Sequence, residues 1–378
     1  MKEETRAHNT TQKTHVYAYD ALRVFAILTV LLIHALMTGR KIGQPLSIEN
    51  FDTWIHYAVP LFVFVSGALL WSRPWKPRTY GTFVKHRFLR IGPSYLFWSA
   101  IYIALLYSGQ PGSNAIYGVQ YNWNGLRTGA VDVLTNLVRL PGYLLSGHSW
   151  YHLYFIPMIF TFYLLTPLFA RALHAKKGSA ELTVLATLAI KMWLWPLLAD
   201  GLNALGNPFL TSYCTHVFQH LPAMALGGWF GLRLGPYLKA WSQKWTAREG
   251  ASTLSNFGGF VSFASLKALA RPLKGALFPF YQIALFVVPA CLLEPLWIKI
   301  KKPLSVASQL SFGVYYIHPL FLLIAQKASL AFFSATSWGS FWTSWQGAWL
   351  TWGFLLITSY ASCYLVSKSE RARWIIGL

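Results

Sequence analysis

Apolar stretches of about 17–23 residues, each long enough to cross a bilayer, recur along the 378-residue chain with no hydrophilic domain between them. They run over 18–38, 54–72, 91–108, 150–170, 180–199, 213–232, 252–270, 276–298, 306–326 and 347–366. In lipid every backbone N–H and C=O must be satisfied within its own segment, so such a chain is expected to be all-α, a polytopic transmembrane helical bundle of about ten spans. Composition agrees. Only 11% of the residues are charged, against roughly 25% in soluble domains. The 55% hydrophobic content excludes disorder. The stretch 252–270 is the weakest of the ten, being rich in Ser and Gly and carrying Lys267. Parity nonetheless requires it, since without it Lys299, Lys301 and Lys302 would face away from the other basic loops.

A net charge of +21 would ordinarily suggest nucleic acid, but here the basic residues are scattered among apolar ones. With ten spans, 22 of the 32 Lys and Arg fall on one side, including an acid-free loop that holds Arg73, Lys76, Arg78, Lys85, Arg87 and Arg90. Only seven fall on the other. The positive-inside rule then places both termini in the cytoplasm. The expected partition is a tail over 1–15, one transmembrane domain over 16–370 and a tail end over 371–378. Residues 1–15 carry charges of both signs and no apolar core, so no cleavable signal peptide is expected. Cys214, Cys291 and Cys363 are far apart in apolar runs and read as small buried hydrophobes.

Ionisable groups inside spans are costly and therefore functional candidates. The first span carries Asp20, Arg23 and His34. Eleven residues at about 100° each bring Arg23 and His34 within about 20° of one another, on one face and about 16 Å apart along the axis. Asp20, three residues before Arg23, can pair with it across one turn. A snorkelling Arg and a hydrogen-bonded bundle His are the plain alternatives. A neutral imidazole can act as a general base near pH 7 without carrying charge at rest. An Arg at the helix mouth can orient phosphates. Arg87 and Arg90, spaced i, i+3 with Lys85 just before them, suit a polyphosphate or serve as simple topology anchors.

These residues also carry a family resemblance. Arg23-x10-His34 preceded by Asp20, VPLFVFVSGALLW over 59–71 with Ser66-Gly67 at its centre, and Arg87-x-x-Arg90 occur in order. They are followed by HLYFIPMIFTFYLLTPLF over 152–169 and LSFGVYYIHPLF over 310–321. Together they resemble the integral-membrane acyltransferase-3 family, with Val24 standing where a Gly often follows the Arg. The resemblance implies transfer of an acyl group, commonly acetyl, from cytoplasmic acyl-CoA (acetyl-CoA in the commonest case) to a hydroxyl of an envelope carbohydrate. The expected setting is the bacterial cytoplasmic membrane. It implies His34 as the essential histidine, Arg23 as its partner, Arg87 and Arg90 at the donor, and Ser66 and Gly67 near the reacting centre. Direct attack by a hydroxyl deprotonated by His34 and an acyl-histidine route both remain open. No appended extracytoplasmic catalytic domain is expected, so transfer would finish within the membrane part.

Weaker signals lie elsewhere. His148/His152 and His216/His220 have His-x3-His spacing but no accompanying Glu or Cys, so no metal is expected. With Trp150, Tyr151, Tyr154 and Phe218 they read either as an aromatic belt or as a sugar-stacking platform for the acceptor. His318-Pro319 either lines the cavity or packs the helix. Lys191 lies mid-span with no partner in sequence, while Asp200 and Glu294 end spans and read as interfacial. A polysaccharide exporter is the competing reading, though no inverted repeat supports it. The expected partners are the lipid bilayer, acyl-CoA and a carbohydrate, with no nucleic acid; the oligomeric state is open.

Overall fold

The computed structural model of the chain describes residues 15–40, 45–71, 79–107, 140–246, 278–332 and 335–378, and these contain helices and no strand. Among the described residues, six helical segments are long and apolar enough to cross a membrane: 17–37, 46–71, 80–105, 179–204, 301–329 and 345–367. A seventh candidate is a pair, α5 (Phe155–Leu164) and α6 (Thr166–His174), bent by 56°. The bend falls where Pro167 opens the second helix. The expected span over 252–270 lies outside the described residues. Every other expected span overlaps a helix.

The bundle is organised around α1 (Tyr17–Arg40). It packs against α3 (Ala58–Trp71), α13 (Lys301–Phe332) and α15 (Trp345–Ser367). Two buried networks fix its N-terminal end. Glu294, at the start of α12 (Glu294–Lys299), accepts the Tyr17 N–H at 2.9 Å and the Ala18 N–H at 2.6 Å. These are free N–H groups of the first turn, where the helix dipole also favours a carboxylate. Ser242 on α10 (Gly235–Thr246) donates to the same carboxylate at 2.7 Å. Glu294, expected at an interface, is therefore fully buried. Asp20 accepts from Ser308 at 2.8 Å and Ser305 at 3.1 Å, which pins α1 to α13.

A close helix crossing joins α3 to α9 (Pro208–Arg233). Gly67 faces the Met224 carbonyl and Gly228, while Gly227 and Gly231 face the α3 backbone at Phe64 and Ala68. Small residues at a crossing let two membrane helices approach to backbone contact. Segment 179–204 is α7 (Ser179–Ala189), a π turn (Ile190–Leu194) and α8 (Trp195–Ala204). It exposes Leu182, Leu185, Trp193 and Leu197, as a lipid-facing helix does. The last residues turn back onto α4 (Tyr80–Tyr107). Ser94 donates to the Trp374 carbonyl at 2.6 Å, and the Trp98 indole N–H to that of Ile375 at 2.9 Å. Ile376 is buried, so the expected tail end packs against the bundle.

Candidate active site

His34, two turns before the end of α1, meets residues from two distant parts of the chain. Its ring stands 4.8 Å from Tyr151, edge to face, and 5.0 Å from His318, nearly parallel. His152 completes the group, 5.4 Å from His318 and 5.0 Å from Tyr315. The Tyr315 hydroxyl donates to the His152 carbonyl, which fastens the turn over 148–154 to α13. His318 precedes Pro319, whose ring leaves the Tyr315 carbonyl without its helical donor. The Nδ1–H of His318 is directed to the Val314 carbonyl at 3.1 Å. That tautomer puts the lone pair on Nε2, which meets no partner among the described residues. His34 Nδ1 lies 3.0 Å from the Met37 thioether sulfur. With the proton on Nδ1, His34 likewise offers Nε2 as a base.

His34, Tyr151, His152 and Tyr315 line a cavity of about 460 Å³. Its other walls include His56, Tyr154, Lys191, His216, Gln219 and His220, and none of its described lining residues is acidic. His318 lies just behind this wall, fully buried. Trp150 is buried one layer further back, stacked on Tyr102 at 4.9 Å. Ser66 lies away from the cavity lining and donates to the Phe62 carbonyl of its own helix at 2.9 Å.

The second cluster lies at the opposite end of α1. The Arg87 guanidinium sits over the rings of Tyr163 at 5.0 Å and Phe83 at 5.3 Å. Arg23 is close enough to Arg87 and Arg90 for their positive charges to influence it, with the Tyr163 side chain nearby. Its nearest acid is Asp20, with Nη1 and Oδ1 3.9 Å apart. Arg90 directs Nε to the Gly377 carbonyl at 3.3 Å. Lys85 is exposed one turn earlier. Asp20 is held by His15, Ser305 and Ser308 and stands with the arginines, not beside His34. Arg87, held by ring faces, and Arg90, held by a single hydrogen bond, keep donors free for an anion beside Arg23.

Sequence reasoning singled out His34, Tyr151, His152 and His318 separately, and the fold brings them together. Tyr315, His56 and Gln219 were missed. Tyr315 lies within the LSFGVYYIHPLF block, and Gln219 shares a helix face with His216 and His220. The block and the shared face are the signals that could have found Tyr315 and Gln219, and none pointed to His56. Among the described residues no group of three or more His, Cys, Asp or Glu is arranged to hold a metal ion.

The described helices thus carry a histidine-lined cavity at one end of α1 and a guanidinium cluster at the other. The sequence model of the acyltransferase-3 family, described as an acyltransferase domain, matches residues 16–368, and the chain belongs to that family. No curated protein and no solved structure matches it.

Proposed function

We propose that the protein transfers an acyl group, acetyl in the simplest case, from cytoplasmic acyl-CoA to a hydroxyl of a cell-envelope carbohydrate. In this reading about ten spans place both termini and the arginine cluster at the cytoplasmic face of a cell membrane. Residues 16–370 then act as one domain. The observation that carries it is the division of labour along α1. Arg23 stands among Arg87, Tyr163 and Arg90, and His34 lines the cavity three turns further on. The CoA phosphates rest on the arginines, and the slender pantetheine arm spans the intervening distance of about 16 Å.

In the direct route His34 Nε2 takes the proton of the acceptor hydroxyl as that oxygen attacks the thioester carbonyl. The C–O bond forms, the C–S bond breaks, and the imidazolium returns its proton to the departing CoA sulfur. Neutral imidazole suits this position because an apolar site penalises a resting charge. Tyr151 orients the His34 ring by edge-to-face contact, and His318 backs it. His152 and the aromatic ring of Tyr151 shape the acceptor side, with Trp150 packed behind them.

Purified protein incubated with acetyl-CoA and de-acylated envelope glycan should release free CoA and yield acylated glycan by mass spectrometry. Glycan translocation across vesicles with no CoA release would instead identify an exporter.

A further inference from the structure

Lys191 is a cation within a membrane-spanning segment, and such residues mark ligand paths or buried pairs. It sits in the π turn Ile190–Leu194, a one-turn irregularity that recurs at functional sites. The turn separates its direction from that of its neighbours. Met192, Trp193 and Leu194 are exposed on the apolar outer face, whereas Lys191 lines the cavity. No ion pair between Lys191 and a carboxylate occurs among the described residues. The wall of α9 opposite offers neutral polar groups. His220 directs Nδ1–H to the His216 carbonyl at 2.8 Å, which leaves Nε2 to accept a hydroxyl. The His216 ring stacks on Tyr154 with centroids 3.7 Å apart, and Gln219 adds a carboxamide to the same lobe. Among the described lining residues, one lysine, several uncharged hydrogen-bonding groups, aromatic faces and no acid describe a receptor for a sugar with one negative charge.

We propose that this lobe of the cavity, formed by Lys191, His216, Gln219 and His220, binds an acceptor sugar bearing a single negative charge, either a uronate carboxylate or a phosphodiester. The assignment rests on the acyl-transfer reading above, in which the cavity takes the acceptor. Lys191 pairs with the anion, Gln219 and His220 meet ring hydroxyls, and Tyr154 lies beneath the ring. The sugar is thereby held with another hydroxyl toward His34. Lys191 is a specificity-determining residue and takes no part in bond making.

The test is equilibrium binding by full-length protein in detergent, using methyl glucuronide, the methyl phosphodiester of glucose 1-phosphate, and methyl glucoside. Wild type should bind at least one charged probe about tenfold or more tighter than the glucoside, as expected of a charge-assisted contact. The Lys191→Met variant should lose that preference to within about twofold, and Lys191→Arg should recover part of it. Preference for the glucuronide alone assigns a carboxylate, and preference for the phosphodiester alone assigns a phosphate. Equal binding of charged and neutral probes, no binding of any probe, or a preference that survives in Lys191→Met overturns the proposal. Lys191→Gln serves in its place if Lys191→Met fails to give a cooperative melt. His34→Ala, measured alongside, should keep the preference for the charged probe over the glucoside, because both probes present the same hydroxyl to His34. Loss of acyl transfer in that variant thus bears on the catalytic reading without touching this one.

Discussion

At the scale of single residues, the arginines differ in how they are held, and this gives them different tests. Arg87 rests on two ring faces, a contact of about 0.5–1 kcal/mol at a partly exposed site. Arg90 also ties the chain's last residues to α4 through Gly377. Arg87→Ala should therefore raise KM for acetyl-CoA several-fold with Tm nearly unchanged. Arg90→Ala should raise KM and lower Tm together, by the loss of a charge-assisted bond worth roughly 1.5–3 kcal/mol at most. Both are read from initial rates and a thermal melt of the detergent-solubilised protein. Unchanged KM in the double variant would reduce the pair to topology anchors. Much at this scale was visible in sequence, because Arg23 and His34 share a helix and their angular relation follows from counting residues. Tyr315 was not visible, because it reaches the site through a contact between α13 and a turn some 160 positions earlier.

At the scale of elements, two features decide whether the site stays assembled. Gly67 meets α9 backbone, so Gly67→Ala must push two helices apart. The cost is about 1–3 kcal/mol, seen as a lower Tm in any detergent that supports the wild type. Ser66-Gly67 thus supports the site through the crossing that holds α9, and with it His216 and His220, against α3. The other feature is the N-terminal end of α1, where the His15 imidazole stands just outside the membrane span. Its hydrogen bond to Asp20 at 2.7 Å raises its pKa above the ordinary 6.5. A raised folded-state pKa stabilises the fold below the unfolded value, and that gain is lost as pH rises through the folded value. The Tm difference between wild type and His15→Gln should be largest near pH 6 and shrink toward about pH 8. A difference that grew with pH would contradict this pairing. Helix positions were legible from hydropathy alone, but the 56° bend between α5 and α6 and the π turn at Lys191 were not. Both depend on local backbone choices that apolar periodicity does not encode.

At the scale of the whole molecule, the basic residues that raise the net charge to +21 fall into two groups. Most are a topology signal spread over loops. A few stand apart by position: Arg23, Arg87 and Arg90 at one end of α1, and Lys191 in the cavity reached at the other. The two ends are joined by a helix whose 24 residues span about 36 Å. Labelling single-cysteine variants at Lys85 and Lys368 from one face of sealed vesicles should modify both positions together. Modification from opposite faces would overturn the assigned orientation. The central claim is that His34 activates the acceptor at the far end of this path. It is tested most directly by following labelled acetyl from acetyl-CoA to the envelope glycan of cells lacking the protein, using purified wild type and His34→Gln in proteoliposomes. The prediction is a loss of about 10²–10⁴-fold in kcat for His34→Gln with an unaltered melt, whereas turnover within tenfold of wild type would contradict the role given to this histidine.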